Sequence, residues 1–375
     1  MSPPNDMLKL YIEPSSRCNL ECTMCFRNSW VNETFGDLDM KTFYNAIDTM
    51  PTSVQTIFFG GMGEPFIHKD IMQMLMFAKS KGVKVEILTN GTLLTREISE
   101  FLLDIGLSKL WISIDSLDDL GYENIRQNSN FQLIRKNIVD FNDLRYSNVR
   151  PNRKSTELGI AFVAMKSNVH QLGKLNTFAY NNSIQDISIS NVSPTDAFSL
   201  SEALYPRIIN MGIGLGNQGF TRIRLPQMDY RIAPVLEGIT SLLKTDFDYI
   251  PVGVELNALR GRSCKFINEG TVFVRHDGNV TPCMGLLHSG ITYLDYTKRT
   301  VHHHSFGNVE YENLKDIWEK DEFVMFRKRV KEFDFSPCTR CGGCERRMEN
   351  IEDCFGNKKP TCGACLWGEG ILNCP

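Results

Sequence analysis

LKLYIEPSSRCNLECTMC, residues 8–25, passes directly from a β-rich run to three thiols, Cys18, Cys22 and Cys25. Working outward, five more short runs share the character of the first: VQTIFFGG (54–61), VKVEILTNG (83–91), LSKLWISID (107–115), LGIAFVAM (158–165) and IQDISISNV (184–192). Each reads as a strand, and the segments between them have helical spacing. In LDMKTFYNAIDTM (38–50), Met40, Phe43, Ile47 and Met50 fall on one helical face, and KDIMQMLMFAKSKG (69–82) carries an apolar stripe that stops at Gly82. Six strand-helix units in series predict an α/β fold, a parallel sheet with right-handed crossovers. Six units suit a partial (β/α)6 TIM-like barrel, open rather than closed at eight. Active sites of such sheets sit at the carboxyl ends of the strands. The cysteine loop follows the first strand, GGMGEP (60–65) the second and TNG (89–91) the third, and SIDS (113–116) closes the fourth. Four unusual loops are thus expected on one rim.

Bulk properties restrict the function. The 375 residues suffice for a large domain and a smaller one, the formal net charge is −3, and no stretch approaches the roughly 20 apolar residues of a membrane span. Neither nucleic acid nor a membrane is expected as partner. MSPPNDMLKLYIEP lacks a basic region followed by an apolar run, so a cytoplasmic location is expected. The twelve cysteines fall well below the roughly 8 to 10% of a disulfide scaffold, and they are grouped: three in residues 18–25 and nine from Cys264 to Cys374. In a reducing compartment, thiols at two-residue gaps point to metal ligation.

C-x3-C-x2-C supplies three soft thiolates, one short of closing a zinc site or a four-iron cubane; buried thiols are the plain alternative. Taken with the loops that follow, these residues resemble the radical S-adenosylmethionine (SAM) family, whose [4Fe-4S] cluster leaves one iron free for SAM. The resemblance implies that Cys18, Cys22 and Cys25 hold that cluster. It implies further that Gly60, Gly61, Gly63 and Glu64, before Pro65, form the loop that meets the SAM amino group, where glycine lets backbone approach the ligand. Ser113 and Asp115 match positions facing the ribose, Met24 the position near the adenine, and Arg126 and Asn168 positions near the SAM carboxylate.

RSCKFINEGTVFVRHDGNVTPC (262–283) holds two β-rich runs around the turn Asp277–Gly278, flanked by Cys264 and Cys283. Seven more cysteines follow, Cys338, Cys341, Cys344, Cys354, Cys362, Cys365 and Cys374. This resembles a SPASM domain, which holds auxiliary iron-sulfur clusters. The opening half fits closely, with thirteen residues from Cys264 to Gly278 and four more to Cys283. The rest departs, with spacing C-x2-C-x2-C-x9-C-x7-C-x2-C-x8-C in place of C-x2-C-x5-C-x3-C. Two auxiliary [4Fe-4S] clusters need eight thiolates, so one of nine is spare or a ligand set is rearranged; paired zinc ribbons are the competing reading. HHHS (302–305) reads as a loop. The expected domains are 1–192, the barrel; 193–262, an irregular bridging and substrate-facing region in which Met211, Phe220 and Tyr230 are candidate pocket residues; and 263–375, the small cysteine-rich domain.

The family resemblance implies reductive cleavage of SAM to a 5′-deoxyadenosyl radical that abstracts hydrogen. It also implies a low-potential electron donor such as ferredoxin or flavodoxin. FDFSPCTRCGGC (333–344) and PCMGLLHS (282–289) are similar to the SPASM radical SAM proteins associated with tungsten-containing aldehyde ferredoxin oxidoreductases. That resemblance implies a role in maturing such an oxidoreductase or its pterin cofactor. The alternative enzyme reading is a peptide or protein modifier that forms crosslinks or oxidises side chains. The early first strand, with no room ahead of it for a leader-binding domain, is expected to weigh against a leader-guided peptide. An electron-carrying iron-sulfur protein would explain the late cysteines but leave GGMGEP and SIDS without purpose. No general base is identifiable from sequence.

Overall fold

The computed structural model describes residues 6–147, 156–205, 221–226, 228–229, 232–243, 252–256, 264–294, 297–340 and 344–375. Met211, Phe220, Tyr230 and Cys341 lie outside the described residues.

All six expected strands form. They are β1 (Lys9–Ile12), β3 (Thr56–Phe59), β4 (Lys84–Thr89), β5 (Lys109–Ser113), β7 (Glu157–Ala164) and β8 (Asp186–Asn191); β2 (Glu21–Cys22) and β6 (Arg126–Gln127) make a separate two-residue ribbon. The six pair in parallel in the order β8-β7-β5-β4-β3-β1. Helices α1 (Met40–Asp48), α2 (Ile71–Ser80), α3 (Arg96–Asp104), α4 (Asp119–Ile125), α5 (Phe131–Tyr146) and α6 (Leu172–Asn181) supply the crossovers. Local chemistry sets their ends. Asp39 caps α1 by accepting from the Lys41 and Thr42 amides at 2.9 and 3.2 Å, and Gly82, at φ +73°, turns the chain just past α2.

The sheet does not stop at six. After α7 (Ala197–Glu202), β9 (Thr221–Leu225) adds beside β8, and β10 (Val252–Leu256) follows it beyond α8 (Ala233–Leu243). Residues 193–262 are therefore not wholly irregular as expected. TRIRL and VGVEL are two further parallel strands, short enough among turn residues to escape notice. At the other edge, β11 (Thr271–Val274) pairs in parallel with β1, Lys9 opposite Thr271, so the sheet continues past residue 263. β12 (Asn279–Thr281) returns antiparallel to β11 across the anticipated turn, where Gly278 has φ +82°. β13 (Gly290–Leu294) and β14 (Thr297–Val301) form a separate hairpin, and β15 (Gly307–Asn308) closes the eleven-stranded order. No helix among the described residues is long and apolar enough to cross a membrane.

One large core fills the space between sheet and helices, with Leu10, Ile12, Ile57 and Phe59 of the strands meeting Phe43, Leu75 and Leu102 of the helices. Phe43 is fully buried, 6.1 Å from the rings of both Phe59 and Phe77. Phe43→Ala is expected to cost about 3–5 kcal/mol, read as a lowered chemical-denaturation midpoint.

Candidate functional site

The other sheet face carries the site. Tyr11, Phe58, Leu88, Ser113, Ala161 and Ser188, one from each of six successive strands, line a cavity of about 230 Å³. In DISISN the alternation is plain, with Ile187 and Ile189 in the core and Ser188 and Ser190 on the cavity wall. The strands ending at this rim also deliver Cys18, Cys22, Cys25, Met24, Gly61, Gly63, Glu64 and Arg126 to the wall.

The cluster loop is fixed by its neighbours. A Cβ built on Gly63 would lie 2.1 Å from the Ser15 carbonyl oxygen and 2.5 Å from that of Arg17, and the Glu64 amide donates to the Arg17 carbonyl at 2.8 Å. Gly63 therefore serves backbone packing between two loops. Gly61, at φ +152°, brings its α-carbon against the Glu13 side chain, and Gly60 lies off the wall beside the Phe58 ring. The buried Glu64 carboxylate accepts from Thr89 Oγ1 at 2.8 Å and the Asn90 amide at 2.7 Å, joining its loop to TNG. Burial raises the Glu64 carboxyl above its ordinary range against the pull of these donors. Asn90 in turn aims its Nδ2 at Cys18 Sγ, 3.8 Å away.

Two expected contacts are corrected. Asp115 does not face the cavity: it is fully buried, its Oδ1 accepts from the Val163 amide at 2.7 Å, and its Oδ2 pairs with Arg126 Nη2 at 2.6 Å. β5 ends at Ser113, so strand alternation no longer governs where Asp115 points. Asn168 is buried too, holding the turn after β7 through the Met165 amide and the Asp115 and Val163 carbonyls. Arg126 does reach the wall. Its partner strand places it opposite Cys22, with Nη1 3.9 Å from Cys22 Sγ, and the Asp115 carboxylate keeps it firmly cationic against the cost of burial.

A second cavity, about 90 Å³, shares Phe26, Met62, Ser193, Met284 and Trp367 with the first. Cys283, Cys362 and Cys365 line it. Burial drives their thiols up, and repulsion among Cys264, Cys283, Cys362 and Cys365 adds to it, taking Cys264 to about 12. These four form one set. Cys338 feels Cys354 as a like charge, and Cys344 is near in sequence; both Cys344 and Cys354 are exposed. Buried Arg299 lies between the sets, under the influence of Cys365, Cys338 and Cys362.

Cys374 lines the first cavity with Cys18, Cys22 and Cys25, and it packs against the same apolar cluster as Cys264 and Cys283. It rides on a segment that runs into the sheet's hollow. Asn191 Nδ2 donates to the Ile371 carbonyl and the Asn373 amide to Ser190 Oγ, at 2.8 and 3.0 Å, Lys265 Nζ holds the Cys374 carbonyl at 2.8 Å, and Tyr11 Oη and Lys9 Nζ reach the Pro375 carbonyl.

The thiol geometry bears on which metal group fits. A single tetrahedral zinc, at Zn–S of about 2.3 Å, holds sulfurs about 3.8 Å apart. No three described cysteines have sulfurs all within 4.8 Å of one another; the one described group meeting that distance is Glu13, His276 and His288. The wider spread suits cubanes, in which each thiolate binds a different iron. HHHS is a loop whose histidines part company: the His302 amide donates to Asn350 Oδ1, His303 Nδ1 meets the Leu286 and Leu287 carbonyls, and His304 packs edge-on against Phe306.

Asn90, Arg27, Ser190 and Trp367, all on the first wall, were not among the sequence-derived candidates. TNG and the alternation of DISISN carried the signal for Asn90 and Ser190, whereas nothing local marks Arg27 or Trp367.

The radical SAM superfamily model matches residues 12–151, and the model for SPASM, an iron-sulfur cluster-binding domain, matches 264–345. The chain is 30% identical to the tungsten-containing aldehyde ferredoxin oxidoreductase cofactor-modifying protein of Pyrococcus furiosus, over 98% of this chain and 97% of that one. It is 23% identical to the AdoMet-dependent heme synthase of Nitratidesulfovibrio vulgaris, covering 93% and 90%. Among solved structures, anSMEcpe with bound AdoMet superposes with a TM-score of 0.57 at 17% identity, covering 97% and 92%. Streptococcus suis SuiB bound to precursor peptide SuiA gives 0.59 at 18%, covering 91% and 70%. These two likenesses establish the fold.

The Gly63 contact yields a test. Gly63→Ala is expected to push the Ser15–Arg17 backbone aside, and iron analysis of the reconstituted protein should fall by about four per chain, the content of one cubane, with the other sites filled.

Proposed function

The chain belongs to the radical SAM superfamily and carries a SPASM domain, and on that premise we propose that it cleaves SAM reductively, yielding methionine and a 5′-deoxyadenosyl radical for hydrogen abstraction. The observation that carries this reading is the wall of the larger cavity. It brings three thiols, a glycine loop, Ser113 and the Arg126 cation together where six strands end.

Each residue has a task. Cys18, Cys22 and Cys25 hold the first [4Fe-4S] cluster and leave one position for SAM. Arg126, oriented by Asp115, counters the negative charge beside Cys22 and attracts a carboxylate. Glu64 and Asn90 keep the loops around the ligand in register, with the Asn90 amide group directed at Cys18. Ser113 supplies a hydroxyl for the ribose. Met24, packed with Leu20, Ile125 and Met165, gives the adenine an apolar, water-excluding wall.

Cys264, Cys283, Cys362 and Cys365 ligate one auxiliary [4Fe-4S] cluster; Cys338, Cys344 and Cys354, with Cys341 by its C-x2-C spacing, ligate the other. Cys374 is the spare. The shared wall of the two cavities lets a substrate touch both the first cluster's pocket and the nearer auxiliary set, where a cluster held by those thiols would supply a one-electron acceptor. A low-potential ferredoxin or flavodoxin supplies the electron for SAM cleavage.

The relative from Pyrococcus furiosus, matched along nearly the whole chain, supports a substrate within the maturation of a tungsten-dependent aldehyde oxidoreductase or its pterin cofactor. Anaerobic incubation with that cofactor, followed by mass comparison, tests the substrate. A mass change that requires both SAM and reductant supports it; an unchanged cofactor and apo-oxidoreductase reject it.

Two outcomes test the site. Replacing Cys18, Cys22 and Cys25 together by Ala should abolish 5′-deoxyadenosine formation under strong reductant while about eight irons, two cubanes, remain. Product from a folded triple variant rejects the assignment. Separately, Cys374→Ala should retain about twelve irons, whereas Cys365→Ala should lose about four.

A further inference from the structure

We propose that Glu13, His276 and His288 bind one divalent transition-metal ion, with zinc as the reference case, at a site separate from the iron-sulfur sites. Glu13 follows β1, His276 follows β11, and His288 precedes β13, so the trio joins the rim of the barrel to the cysteine-rich region. Their side chains are 1, 4 and 2% exposed. One ligand atom from each lies within 4.8 Å of the other two. His276 Nδ1 is 3.0 Å from Glu13 Oε2, and His288 Nε2 is 2.9 Å from Glu13 Oε1.

Two imidazoles and a carboxylate form a donor set of intermediate softness, suited to zinc, iron(II) or manganese. Bonds of about 2.0–2.1 Å to a tetrahedral ion put ligand atoms about 3.4 Å apart, so only small shifts admit it. A second observation points the same way. A metal-binding histidine commonly donates its other ring N–H to a carboxylate, which fixes the tautomer. His288 Nδ1 lies 3.0 Å from Glu33 Oε2 while Nε2 faces Glu13. Glu33 is itself anchored by Arg275 Nη2 at 2.7 Å and the Ser289 amide at 2.6 Å, and Trp30 stacks on the His288 ring at 4.1 Å. His276 is held from its far side: a Cβ on Gly36 would fall 2.8 Å from its Cδ2.

His288 also lines the second cavity, which places the ion within the wall beside the nearer auxiliary set.

The test uses protein with its iron-sulfur clusters loaded and reads metal other than iron, so it does not depend on SAM cleavage. Zinc titration should fill one site per chain, and cobalt(II) in its place should show nitrogen and oxygen neighbours by X-ray absorption. His276→Gln and His288→Gln should each weaken zinc binding at least tenfold at unchanged iron content. Glu33→Gln keeps all three ligands and should weaken it about 10- to 100-fold through lost orientation of His288. The proposal is overturned if wild type takes up no zinc, if cobalt has sulfur neighbours, or if the histidine variants retain wild-type affinity. Should those variants fail to fold, Glu33→Gln decides alone, and unchanged affinity in it also overturns the site.

Discussion

The missing side chain of Gly63 is the constraint around which the rim is assembled. Because nothing stands between its α-carbon and the carbonyls of Ser15 and Arg17, the loop after β3 presses onto the cluster loop after β1 and donates to it through Glu64. The Glu64 carboxylate then reaches the loop after β4, whose Asn90 turns back to Asn19 and Cys18. The β2–β6 ribbon adds the fourth tie by setting Arg126 opposite Cys22. A parallel sheet alone would only bring these loops to one edge. Their close stitching is what gives three thiols fixed directions.

The cysteine-rich region is grafted onto this frame by backbone pairing rather than by a hinge. β11 lies along β1 in register, and residues 371–375 lie in the hollow of the same sheet. The two cavities consequently share a wall, and the nearer auxiliary thiols stand against it. Arg299, buried between the two late cysteine sets, offers both one positive charge where accumulated thiolate or cluster charge would otherwise repel.

What could be read in the sequence follows from range. Strand alternation and helical periodicity are local, and they located all six early units, as the β-rich runs ending in SIDS and ISISNV illustrate. TRIRL and VGVEL are equally local but only five residues each, too short for periodicity to separate from a loop. The thiol spacing and glycine loop named the chemistry, yet the direction of Asp115 was beyond reach, since it depends on an amide at Val163 and a guanidinium at Arg126. The same holds for the nine late cysteines. Counting left one over, and no spacing rule shows that Cys374 lines the same cavity as Cys18, Cys22 and Cys25. Glu13, His276 and His288 lie hundreds of positions apart in part, and no spacing rule joins them.

That path also bears on how the molecule is made. β1 is bordered on one side by a strand whose first residue is Thr271, and Tyr11 meets the carbonyl of a residue 364 positions away. Contacts of such sequence separation close late, because chain entropy must be surrendered before they repay it. Until they do, the wall that carries Cys18, Cys22 and Cys25 lacks residues 372–375, which line the same cavity.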